Sequence, residues 1–201
     1  MLKKQEIKLL ILCDLEDFNY KDVLEELNEL KRRHFDMVFV LGNVDKIMMM
    51  EISALFETAL ICALPKDTYS KSQFTELGIL DFNLRKQRID QTYVMGYGSR
   101  FYNPKGVPID KIPECWADIL VSYHAPIRIN DNPDYRNEEL GTEEINRYGA
   151  FRNPLIIFHG GRKCNKETII SNGTKYISCY GIVPYILTYY KEIDEKEGGD
   201  K

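Results

Sequence analysis

Ile7 to Cys13 is an almost unbroken apolar run that stops abruptly at Asp14. A run of that length, apolar on both faces, predicts a buried strand whose carboxyl end meets solvent. Beyond a polar loop, Val23, Leu24, Leu27 and Leu30 recur at helical spacing, with Asp22, Glu25, Glu26 and Glu29 between them. This is the pattern of an amphipathic helix packed on a sheet. The unit then repeats. Met37 to Leu41 predicts a second buried strand, Gly42 to Asp45 its exit loop, Ile47 to Phe56 a second helix, and Ala59 to Leu64 a third strand. Strands alternating with amphipathic helices predict a sheet covered on its faces, with function-bearing loops at the carboxyl ends of the strands.

After Pro65 turns dominate. Arg88 to Tyr97 reads as one strand, Ala117 to Tyr123 as another ending in His124, Glu143 to Tyr148 as a short helix, and Leu155 to Phe158 as a strand ending in His159. Asp131 to Asn137 reads as a polar loop, and Thr168 to Tyr189 as two β segments turned at Gly173 and Gly181. Nothing divides the 201 residues into halves that would each fold alone, so one domain is expected over 1–190, followed by a charged, disordered tail over 191–201.

Composition narrows the function classes. An apolar fraction of 44% against a charged fraction of 29% is that of a globular chain. The net charge of −4 gives no overall footprint for a phosphate backbone, so nucleic acid is not the expected partner. The basic run Lys31, Arg32 and Arg33 closes the first helix, where cations face the negative end of its dipole, and His34 reads as part of the same cap. Five scattered cysteines (Cys13, Cys62, Cys115, Cys164 and Cys179) form no Cys-x-x-Cys pair and suggest free thiols in a reducing compartment. Charged residues surround the first short apolar run, so neither a signal peptide nor a membrane partner is expected, and the expected location is the cytoplasm.

Four predicted strands end in a polar residue able to bind a metal or a phosphate: Asp14, Asn43, His124 and His159. The order of these segments resembles the calcineurin-like metallophosphoesterases over nearly the whole chain. Cys13-Asp14-Leu15-Glu16 is similar to that family's Asp-x-His, Phe39 to Asn43 to its strand ending in Gly-Asp, and Ala63 to Asp67 stands where Gly-Asn-His-Asp/Glu is expected. Asp118 to Pro126 is similar to the strand that delivers the fourth-motif histidine, and Ile156 to Arg162 occupies the place of Gly-His-x-His. The resemblance implies an α/β/β/α sandwich, two facing mixed sheets flanked by helices, with the motif loops on one edge. In that family the motifs hold two divalent cations that activate a hydroxide for attack on phosphorus.

This chain departs from that pattern. Glu16 replaces a histidine, Asn43 the bridging aspartate and Pro65 an asparagine. Lys66 stands at a catalytic histidine, and Gly160 and Arg162 at two more, while His159 is one residue out of register. Two divalent ions about 4 Å apart repel by roughly 16 kcal/mol at an effective dielectric near 20, and neutral Asn43 does not offset that. Lysine and arginine offer donors only. A normal dinuclear centre is therefore not expected. The alternatives are a cluster of Lys66 and Arg162 with Asp14 and Glu16, an anion site of Lys66, Arg162 and Lys163 for a phosphate-bearing small molecule, or a single manganese, iron or zinc ion on Asp14, Asn43, His124 and His159. A metallophosphoesterase-like binding or scaffold module with a protein partner and an altered but active phosphoesterase both follow from these replacements.

Tyr97-Gly98-Ser99-Arg100 reads as a turn rather than a phosphate loop, and Met48, Met49 and Met50 as core. The tyrosines Tyr93, Tyr97, Tyr102, Tyr185, Tyr189 and Tyr190 mark a partner surface wherever they are exposed.

Overall fold

In a computed structural model of the chain, the described residues are 2–64, 74, 76–98, 116–130 and 141–192. Pro65, Lys66, Tyr102, the segment Asp131 to Asn137 and everything after Glu192 lie outside them.

The first half follows the apolar pattern closely. Strand β1 (Leu2–Cys13) leads into helix α1 (Tyr20–Leu30), whose N-terminus is capped by the Asn19 side chain accepting from the Lys21 amide at 2.9 Å. That bond satisfies one of the amides every helix start leaves unpaired. Strand β2 (Met37–Leu41), helix α2 (Lys46–Leu55) and strand β3 (Leu60–Leu64) complete the repeat. Asp45 caps α2, its Oδ1 accepting from the Ile47 and Met48 amides at 2.8 and 3.0 Å, so the acid of Asn43-Val44-Asp45 does structural duty there. Met48 and Met49 are core residues as expected, whereas Met50 faces solvent. His34 is exposed with φ 48° after a 3-10 turn.

Two expectations are corrected. The stretch read as one strand, Arg88 to Tyr97, is a hairpin of β5 (Lys86–Ile89) and β6 (Thr92–Tyr97), with β4 (Leu80–Asp81) just before it. Asp90 turns the chain at φ 50°, a left-handed conformation that aspartate tolerates and that leaves no glycine as a clue. The stretch Thr168 to Tyr189 belongs to three strands, not two: β9 (Lys166–Ile169), β10 (Lys175–Ser178) and β11 (Gly181–Glu192). Between the halves lie β7 (Ile119–Ser122), helix α3 (Glu143–Arg152) and β8 (Ile156–His159).

The strands form two mixed sheets, ordered β11-β1-β2-β3-β4 and β5-β6-β7-β8-β10-β9. A parallel core (β1-β2-β3-β4) carries one antiparallel strand, β11, in the first sheet, and in the second a parallel core (β6-β7-β8-β10) lies between the antiparallel strands β5 and β9. Ile11, Cys13, Phe39 and Leu41 from one sheet meet Val94, Val121, Tyr123 and Phe158 from the other in a shared core. The alternate residues Leu10, Leu12, Val38 and Val40 face α1 and α2, and Met95, Leu120, Ile157 and Tyr176 face α3. The order of layers is helix, sheet, sheet, helix, as the period-2 alternation of side chains on a strand requires.

Candidate functional site

The parallel strands of both sheets deliver their carboxyl ends to one rim, where Asp14 follows β1, Gly42 follows β2, Tyr123 follows β7 and Gly160 follows β8. Asp14 is buried at 6% exposure in a left-handed conformation, φ 52°, its amide donating to the Leu41 carbonyl at 3.1 Å. Its Oδ2 lies 3.5 Å from the Cys13 thiol. Burial first, and then the Asp14 charge, push the Cys13 thiol well up, so it stays protonated as a small core group rather than a nucleophile.

Tyr123 closes this rim. Two glycines map where its ring lies: a Cβ on Gly42 would stand 2.9 Å from Tyr123 Cε2 and 2.5 Å from Asp14 Oδ1, and a Cβ on Gly160 would stand 3.1 Å from Tyr123 Cδ2 and 2.8 Å from Cys13 Sγ. The ring therefore spans from one sheet's exit loop to the other's, its phenol raised above its ordinary range by burial and then by the Asp14 carboxylate it faces. Sequence reasoning passed over Tyr123 as the end of a strand. Once the face of Ile119 is known, parity places Val121 and Tyr123 with it between the sheets.

His124, next to Tyr123, is half-buried, its amide donating to Ser122 Oγ at 3.0 Å and its ring 5.9 Å from that of Tyr123. Asn43 is half-buried beside Gly42 and Glu16 is exposed, while Lys66 lies outside the described residues. His159 does not join Asp14. It is fully buried on the opposite face of β8, with Nε2 3.0 Å from the Asn130 amide nitrogen and Nδ1 3.1 Å from the Gly160 carbonyl. Asn130 is held in turn by Thr168 Oγ1, which donates to its Oδ1 at 2.6 Å, and by the Tyr176 carbonyl at 3.1 Å. The Gly160 carbonyl takes a hydrogen bond from Nδ1, so His159 is neutral with Nε2 accepting from Asn130. Burial lowers its pKa to about 4.

Arg162 is buried at 8% exposure, and its Nη2 donates to the Pro126 carbonyl at 2.9 Å, tying the loop after β8 to the loop after β7. Lys163 Nζ lies 3.3 Å from Asp17 Oδ2, which also accepts from the Tyr180 hydroxyl at 3.1 Å, while Phe18 packs on the Tyr180 ring at 4.8 Å. The cationic replacements thus knit the motif loops together, with Asp17 and Tyr180 as partners the sequence reading did not single out. The Lys163 pair is half-exposed and contributes under about 1 kcal/mol.

These residues do not fit a two-metal centre. No group of three or more His, Cys, Asp or Glu able to hold a metal ion occurs among the described residues, the ring of Tyr123 lies over the exit loops, and both nitrogens of His159 are engaged elsewhere.

The layer order and the gathering of strand ends on one rim define a fold of the calcineurin-like metallophosphoesterase type. One crystal structure matches 94% of this chain and 100% of its own at 12% identity and a TM-score of 0.64. That of TT1561 from Thermus thermophilus matches 87% and 89% at 12% identity and a TM-score of 0.58. A predicted phosphoesterase from Streptococcus pneumoniae TIGR4 matches 92% and 89% at 8% identity and a TM-score of 0.46. No protein-family model and no curated protein matches the sequence. At these identities the likeness concerns the fold. Among the described residues no helix is long and apolar enough to cross a membrane.

Proposed function

We propose that this chain uses a metallophosphoesterase fold as a non-hydrolytic binding or scaffold module, acting in the cytoplasm on a protein partner or a phosphate-bearing small molecule. The observation that carries this reading is the ring of Tyr123 packed across Gly42 and Gly160 beside Asp14, where hydrolysis would need open coordination space. Neutral Asn43 in place of a bridging carboxylate supports it from the sequence side, since a neutral amide does not offset the repulsion of two cations. Phe18, Tyr20 and Ile47 are exposed at the ends of the first two helices nearest the rim, the kind of apolar surface that partners bury.

The second reading is a single-metal phosphoesterase, with manganese, iron or zinc on Asp14, Asn43 and His124. It is favoured by the retention of a carboxylate and an imidazole at strand ends of the two sheets. Hydrolysis of p-nitrophenyl phosphate and of its bis-ester with added Mn2+ separates the two. The scaffold reading predicts rates equal to those of Asp14→Asn, and Mn2+-dependent turnover abolished by that substitution would establish the second.

A further inference from the structure

The far edge of the second sheet brings exposed cations and aromatic rings together. Arg85, Lys86 and Arg88 put three exposed cations in four residues, Arg85 just before the edge strand β5 and the other two on it. Lys86 and Arg88 pair with Met95 and Tyr93 on β6 and share their outer face. There Lys86 Nζ lies 4.1 Å from the centre of the Tyr93 ring and 5.7 Å from that of Trp116, and the Arg88 guanidinium 5.9 Å from that of Tyr93. Tyr93 and Trp116 meet edge to face at 5.9 Å, and Trp116 remains 44% exposed.

Edge strands are often charged simply to prevent aggregation, but that role does not call for an exposed indole locked beside the cations. We propose that this edge binds single-stranded nucleic acid, one base stacking on Trp116 and the flanking phosphates meeting Lys86 and Arg88. Stacking on an aromatic ring beside a cationic track is how such strands are held without sequence preference. Two residues along a β-strand advance about 6.6 Å, close to the spacing of successive phosphates in an extended single strand. An acidic peptide would match the charges but leave the indole unused. The net charge of −4 does not oppose this, because charges more than about 8 Å away are screened at physiological ionic strength.

Trp116 is the only tryptophan in the chain, so its fluorescence reports on this surface alone. Titration of the whole protein with an oligothymidylate should quench it saturably. Neutralising two phosphates predicts affinity about sevenfold weaker at 200 mM than at 50 mM salt. Lys86→Ala/Arg88→Ala, whose side chains are exposed and whose folding is checked by circular dichroism, should weaken binding at least about tenfold, measured in parallel by anisotropy of a labelled oligonucleotide. Absence of quenching, unchanged affinity in the double variant, or equal quenching by polyglutamate or by free thymidine monophosphate would each overturn the proposal.

Discussion

Gly42→Ala should cost about 3 kcal/mol of stability, near a 10 °C loss in Tm, whereas Gly173→Ala should cost about half as much or less. Both glycines have nearly the same left-handed backbone, φ +85° and +87°, so both alanines suffer the same conformational strain. Their surroundings differ. A Cβ at 173 meets nothing within 4 Å, while one at 42 would lie 2.5 Å from the Asp14 carboxylate and 2.9 Å from the Tyr123 ring. The difference between the two variants, read from urea midpoints, therefore measures how firmly Asp14 and Tyr123 hold the rim. Equal losses would mean that these side chains swing away freely, and the rim would then not be closed.

Acidification should destabilise the domain by about 3 kcal/mol through His159 alone. Its pKa is lowered from 6.5 to about 4, chiefly by burial, with the Gly160 carbonyl opposing and the Arg162 charge adding to the effect. The unfolded chain thus takes up a proton near pH 6.5, whereas the folded chain does not until about pH 4. Stability is fully present above the unfolded value and falls between the two at about 1.4 kcal/mol per pH unit, then levels off. Asn130 has no easy escape by flipping its amide, because the Tyr176 carbonyl accepts from the same NH2 group that faces the imidazole, and a flip would set two oxygens against each other there. Carboxylates titrate in the same range, so the informative quantity is the wild-type slope minus that of His159→Asn. The variant should be weaker at pH 7 and flatter between pH 6.5 and 4. Identical slopes would contradict a neutral, buried imidazole.

The strand-helix repeat of the first half was legible because strands buried on both faces leave continuous apolar runs such as Ile7 to Cys13 and Met37 to Leu41, each ended by a polar or glycine residue. The same continuity hid which way the strand-end side chains point. In Ile156-Ile157-Phe158 every position is buried, so nothing in the sequence says that Phe158 faces the other sheet and His159 the helix layer. The histidine that seemed available at a strand end is consequently a core residue bonded at both nitrogens. Arg162 and Lys163 were found as cations, but their partners were not, because Gly161 at φ 71° and Lys163 at φ 43° redirect the loop in a way only coordinates reveal. Lys163 meets Asp17, and Arg162 reaches the Pro126 carbonyl. The surface of Trp116 was missed because its parts, Lys86, Arg88, Tyr93 and Trp116, lie up to 30 positions apart and meet only through the β5-β6 hairpin and the start of β7.

The central proposal is that this chain, with Tyr123 packed across Gly42 and Gly160 beside Asp14, holds no catalytic metal centre on its rim. Metal content by mass spectrometry tests it most directly, on protein purified without chelator and again after incubation with Mn2+, alongside His124→Ala. The account predicts far less than one metal ion per chain in every sample, with no difference between wild type and variant. One or two ions per chain in the wild type, lost on His124→Ala, would contradict it.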